Sequence, residues 1–167
     1  VFETAQGIVQ KLQLALSNGD YANLEQILAK DVIYHLPSDT FFGGVYRGIV
    51  DVRALLIRFG EYHRQHPAAI QVVSISGGEG HVIVRMAHQT LLNEKPMQWF
   101  QNSLFVINEG QIVTCWVFVD NPQAYSQYWS AVMQEGAKAK GAVGGADAPA
   151  INPSARPAQT GSSLPLL

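Results

Sequence analysis

Charge is scarce in this chain. Asp, Glu, Lys and Arg make up 14% of 167 residues, with 11 basic side chains set against 13 acidic ones. The net charge of −2, with no basic run, leaves no footprint for nucleic acid and no polybasic patch for an anionic membrane. Cysteine is scarcer still. Cys115 stands alone, so no internal disulfide is possible, and its apolar setting reads as a small buried hydrophobe rather than a nucleophile. No apolar run reaches the ~18 residues that a membrane span requires. No signal-peptide pattern is visible, and the cytoplasm is the expected location. His63, His66, His81 and His88 form no metal-ligand spacing with Cys115 or with acids, so neither metal nor cofactor is expected. A Gly-rich phosphate loop and a Ser–His–Asp nucleophile signature are also missing.

What the chain does have is apolar bulk. Hydrophobic residues make up 47%, enough for one domain with a real core. The organising stretch is Gln111 to Trp129, QIVTCWVFVDNPQAYSQYW. Ile112 to Val119 are mostly β-branched or aromatic, as in a strand buried on both faces. The strand ends on Asp120. Asn121 then suits an N-cap and Pro122 the first helical position, and Ala124, Tyr125, Tyr128, Trp129 and Val132 follow helical spacing.

Upstream, residues 2 to 17 read as an amphipathic helix stopped by Asn18-Gly19. Asp20 caps a shorter helix with Leu24, Ile27 and Leu28 inward. Val32 to Leu36 is a short strand, Pro37 to Gly44 a loop, and Ile49 to Arg64 a third helix led in by Tyr46-Arg47-Gly48. Its inward positions are Val52, Leu55, Leu56, Phe59 and Tyr62. Beyond Pro67 the hydrophobic period changes from 3.6 to 2. Strands at Ile70–Ser76, His81–Leu92 and Met97–Ile107, then the opening strand, form a meander with tight turns, including Asn108-Glu109-Gly110. Helices followed by a meander predict an α+β fold. Residues 1–135 make this domain. Residues 136–167, rich in Ala, Gly and Pro, read as a flexible tail, with its closing Leu-Pro-Leu-Leu either an inert end or a docking peptide.

Three segments carry a family resemblance: LSNGDYANLEQILAKDVIYHLP, YRGIVDVRALLIRF and NEGQIVTCWVFVD. Their order and wording resemble the NTF2-like superfamily, in particular the SnoaL-like polyketide cyclases and relatives of ketosteroid isomerase, over residues 1 to about 133. The resemblance implies a cystatin-like cone, with three N-terminal helices on a strongly curved antiparallel sheet enclosing a pocket. It implies cofactor-independent acid–base chemistry on a hydrophobic, oxygenated small molecule, or a binding or assembly module without turnover.

Candidate residues follow position by position. Asp120 resembles the cyclases' acid–base Asp. Read from its surroundings alone, it is a helix-capping or surface carboxylate. His35 falls near the isomerases' catalytic Asp and suits proton transfer near neutrality, or is a neutral core histidine. Asp39 is placed to orient it. Trp116, Tyr46, Trp99, Gln101, Ser103 and Phe118 are the expected substrate lining. The isomerases' oxyanion pair is replaced by Leu12 and Ser103, which argues against steroid isomerisation. Arg85, without an acid two residues away, does not support an epoxide-hydrolase pairing. Alternation puts Trp99, Gln101, Ser103 and Phe105 on one face of their strand without settling which face is inward; if Ser103 matches the isomerase position, these line the pocket, and the same mapping points Cys115, Val117 and Val119 inward. Asp120 then shares the other face with Trp116 and Phe118, and reaches the pocket only if its strand bulges or ends there. Apolar residues on both faces of the meander predict a homodimer through the outer face.

Overall fold

The structure, a computed structural model, describes residues 3–65, 70–92 and 94–141. Helix α1 spans Ala5–Asn18. Thr4 caps its start, its side-chain oxygen accepting from the Gly7 N–H. Gly19 ends it in the left-handed region (φ 72°), donating to Ala15. Asp20 leads into a single 3₁₀ turn, Tyr21–Asn23, and a one-turn helix α2, Leu24–Ile27. Strand β1 covers Leu28–Leu36 and β2 Gly44–Arg47. Helix α3 is Ile49–Gln65. Strands β3 (Ile70–Gly78), β4 (His81–Leu92), β5 (Lys95–Asn108) and β6 (Gln111–Val119) make the meander, and α4 runs Pro122–Gly141.

The α+β expectation holds, with corrections of detail. The described residues contain four α-helices, and the expected second N-terminal helix is only a turn. Leu28 leaves that helix because it opens β1, where it pairs with Ile112. The six strands lie in the order β2-β1-β6-β5-β4-β3. The sheet is not purely antiparallel, since β1 runs parallel to β6. It is also an open sheet rather than a strongly curled cone, with edges at β2 and β3. Tyr46 and Arg47, expected to lead into a helix, belong to β2 and pair with Tyr34 and Ile33. The tail's first residues continue α4 to Gly141. Residues 142–167, with Leu-Pro-Leu-Leu, lie outside the described residues, as do His66 and Pro67.

All the helices pack on one face. Helix α1 lies against α3 and the inner side of β3, β4 and β6; α3 covers β1 and β2; α4 lies on β5. The core joins Ile8, Val9 and Leu12 of α1, Val52 and Leu55 of α3, and Val82, Val84, Ile112 and Cys115 of the sheet, each at most 2% exposed. Cross-strand register fixes the faces. Val84 lies opposite Ser103 and Ser103 opposite Val117, while Arg85 lies opposite Asn102 and Asn102 opposite Phe118. The first row faces the helices and the second faces away.

The β5–β6 turn is closed by Glu109 and Gly110, both at positive φ (49° and 78°), between the paired residues Asn108 and Gln111. Glycine suits that conformation and glutamate does not, whereas Asn tolerates it. Glu109→Asn is expected to stabilise the fold by about 0.5–1 kcal/mol. Urea unfolding checks this, and an unchanged or lower midpoint would contradict it.

Candidate functional site

Beyond Lys95 at the exposed hairpin end of β5, the inner side of β4, β5 and β6 carries no Asp, Glu, Lys or Arg. Its successive positions are Val82, Val84, Met86 and His88; Trp99, Gln101, Ser103 and Phe105; and Cys115, Val117 and Val119. Trp99, Gln101 and Ser103 therefore share a face, as strand parity predicts. The Gln101 amide donates to the Ser103 hydroxyl at 3.2 Å. Ser103 and His88 are buried, and the His88 ring stacks on Trp99 at 4.8 Å. Tyr46 also faces inward, opposite Tyr34, and its hydroxyl donates to the Phe42 carbonyl at 3.0 Å.

The expected enclosed pocket is filled by the protein's own rings. From α4, Tyr125, Tyr128 and Trp129 descend onto Trp99 and onto Phe42, Phe59 and Tyr62. Trp99 meets Tyr128 at 5.1 Å and Tyr125 at 6.1 Å; Trp129 meets Tyr62 at 4.6 Å, Phe59 at 5.2 Å and Phe42 at 5.3 Å. Edge-on and tilted contacts dominate, the geometry aromatic quadrupoles favour. Phe42 is delivered by the loop 37–43, tied by Thr40 N–H to the Pro37 carbonyl (3.1 Å) and Gly43 N–H to the Thr40 carbonyl (2.8 Å). A side chain at Gly43 would collide with the Pro37 carbonyl, so only glycine fits there. Among the described residues, the best-formed depression is an open cleft of about 520 Å³ between the β4–β5 hairpin and α4, lined in part by Lys95, Met97, Gln98, Asn121 and Gln127.

Burial leaves polar atoms stranded here. Trp99 is 1% exposed and Trp129 2%, yet no group accepts from either indole N–H. The Tyr34 hydroxyl, beside Cys115 and Phe105, is likewise without a partner. A buried unpaired donor costs about 1–3 kcal/mol. Burial raises the Tyr34 and Cys115 pKa values far above their ordinary range and pushes Tyr128 up to about 12, with Glu135 adding to the last. None of these groups ionises near neutral pH.

Asp120 and His35 sit on the other face. The Asp120 carboxylate is exposed and accepts from the Phe100 N–H at 2.7 Å, while its own N–H donates to the Phe100 carbonyl at 3.1 Å. It thus extends the β5–β6 ladder by one rung and anchors the root of α4. The expected N-cap is Asn121, whose Oδ1 accepts from Ala124 N–H at 3.0 Å. His35 stacks on Trp116, its β6 neighbour, with centroids 5.0 Å apart and planes 7° from parallel. Asp120 lies four residues further along β6, roughly 13 Å away at strand rise. The two are not brought together, and neither faces the inner compartment.

Trp116 and Phe118 go with them, Phe118 being 55% exposed, so β6 is not covered on both faces as its sequence suggests. Arg85 lies on the same outer side, its guanidinium 4.5 Å above the Phe100 ring. Asp39 is exposed in its loop. No group of three or more metal-ligating side chains gathers among the described residues, and no described helix is long and apolar enough to cross a membrane. Sequence reasoning gave Tyr125, Tyr128 and Trp129 helical spacing without assigning them to the site. The signal was their density, three rings in five residues.

Partial burial, and then the nearby Arg47 charge, lower the pKa of His35 from its ordinary 6.5. As pH falls below 6.5, the unfolded chain binds a proton before the folded chain does. Stability from this group is therefore complete above 6.5 and is lost as pH drops through the folded pKa. Thermal melts from pH 8 to 5 should show a smaller acid-side loss in His35→Asn than in the parent, whereas equal losses would contradict the shift.

No family model and no curated protein matches the chain. Solved structures do. A protein from Silicibacter pomeroyi DSS-3 with a cystatin-like fold superposes with a TM-score of 0.60 at 18% identity, covering 84% of this chain and 92% of its own. A cystatin-like protein of unknown function from Xanthomonas campestris gives 0.57 at 22% identity, covering 73% and 95%. An NTF2-like protein from Burkholderia xenovorans LB400 gives 0.56 at 16% identity, covering 75% and 98%. At these identities the likeness establishes architecture, and the chain has the NTF2-like, or cystatin-like, fold.

Proposed function

We propose that this chain is a binding domain for a hydrophobic, oxygenated small molecule, taken up between the helices and the inner face of the sheet. One observation carries the reading. The inner positions from Val82 to His88, Trp99 to Phe105 and Cys115 to Val119 combine apolar and aromatic walls with a few hydrogen-bonding groups and hold no Asp, Glu, Lys or Arg, Lys95 lying exposed at the hairpin end of β5. Such a surface recognises shape and one or two polar atoms rather than a charged headgroup. The enzymatic alternative is cofactor-independent acid–base chemistry of the cyclase, isomerase or lyase type. It would need a proton-transfer group on this face, where His88 is the one imidazole among the described residues. The outer position of Asp120 and His35 favours the binding reading. Titration with Nile red, a neutral planar dye, is expected to give one site per chain. Asp120→Asn and His35→Asn should change its affinity less than twofold, while Ser103→Leu weakens it at least tenfold. A tenfold loss in either of the first two variants would contradict the reading.

The same proposal includes a second copy of the chain on the outer face. All helices lie on the inner side, while Ile83 is 45%, Val45 43% and Phe118 55% exposed beside Trp116, Phe100 and Leu104. A contiguous apolar surface of this kind is uncommon on a monomer. With β5 near a twofold axis, β4 of one copy lies over β6 of the other. That brings Arg85 toward the partner's acidic Asp120 end, a self-complementary arrangement. Sedimentation is expected to show a dimer at micromolar concentration and a folded monomer for Phe118→Asp. A monomeric parent would overturn this part.

A further inference from the structure

We infer that α4 is a displaceable plug standing in a ligand site. Its rings occupy the space that a planar, uncharged molecule with acceptor oxygens takes when bound, and Trp99, which stays on β5, supplies the recognising N–H group. The inference rests on the small-molecule reading above and adds the entry route and the ligand's chemistry.

Three observations converge. First, Trp99 and Trp129 are almost wholly buried, yet both indole N–H groups lack an acceptor. Burial without a partner is a standing cost; a ligand's acceptor oxygen removes it for Trp99, and release of α4 into water removes it for Trp129. Second, ring surfaces make up much of what holds the plug. Tyr125, Tyr128 and Trp129 make ring contacts with Trp99, Tyr62, Phe59 and Phe42. The side-chain hydrogen bond seen between α4 and the body of the protein comes from the Phe41 N–H to the Ser126 hydroxyl at 3.1 Å. Stacked and edge-on rings exchange readily for another planar partner of similar area. Third, the root of α4 is a defined pivot. Asp120 is fastened to Phe100 by two hydrogen bonds, so the chain is fixed up to that residue, and α4 begins just beyond it.

Displacement leaves a floor of Trp99, His88, Gln101 and Ser103, with Phe42 and Phe59 at one side. Stacking selects a flat ligand. The neutral lining disfavours charge, since a buried ion here has no counter-charge. The Trp99 indole N–H, which donates and never accepts, selects an acceptor oxygen such as a carbonyl.

The test compares 9-fluorenone with fluorene, two tricyclic probes of the same outline that differ in one carbonyl. The full chain is expected to bind fluorenone more tightly, with faster backbone amide exchange across residues 122–133 in the complex. Trp99→Phe should lower fluorenone affinity about tenfold or more and leave fluorene within twofold, the latter showing that the variant is folded. Equal affinity of the parent for both probes would overturn the role of the Trp99 N–H group. Binding with unchanged exchange in α4 would overturn the plug while leaving the compartment reading intact. Binding of neither probe would overturn both.

Discussion

The ring of Trp99 is the contact on which the rest of this structure depends. It rises from the middle of β5 toward the helices, between the His88 ring on the neighbouring strand and the tyrosines of α4. Without α4 the inner face of β5 would carry an indole into water. With α4 it becomes the floor of an aromatic cluster reaching to Phe42, Phe59 and Tyr62. Burying rings of this size outweighs the loss of two indole hydrogen bonds to water, since each ring removes about 150–250 Å² from solvent. The fold is stabilised by the same contact that closes its interior.

Much of this architecture was legible in the sequence. The change of hydrophobic period after Pro67 located the meander, and the stops at Gly19 and Gly110 fall where the backbone takes positive φ. Asn121 and Pro122 begin α4 as their chemistry requires. What was not legible came from long-range pairing. Nothing local to Leu28 or Tyr46 announces a strand; β1 forms early because Ile112 is there to pair with it, and β2 because β1 offers an edge. The parallel β1–β6 contact joins segments some eighty residues apart, and no short-range pattern encodes it.

The candidate site divides along the same line. Alternation groups Trp99 with Gln101 and Ser103 on β5, and Trp116 with Phe118 and Asp120 on β6, but only the register between the strands shows that the two groups face opposite ways. The local wording around Asp120 suggested a pocket acid, and register carries it to the outer side, where its carboxylate serves as a backbone acceptor at the end of the ladder. His35 follows because it pairs with Trp116. Period-two geometry is rigid: a side chain cannot change faces without a bulge, and the irregularity on β6 lies near Ile112, at the far end from Asp120. The aromatic run of α4 was visible as a helix face, but its role as the filling of the interior required the sheet beneath it.

The most direct measurement is a proton–nitrogen NMR spectrum of the indole N–H groups of Trp99 and Trp129 in the free protein, assigned by single Trp→Phe substitutions. Two slowly exchanging resonances at positions typical of unbonded indoles are predicted, that of Trp99 moving downfield when fluorenone is added. Rapid exchange with water in the free protein would show that α4 does not seal the interior, and would contradict the central claim.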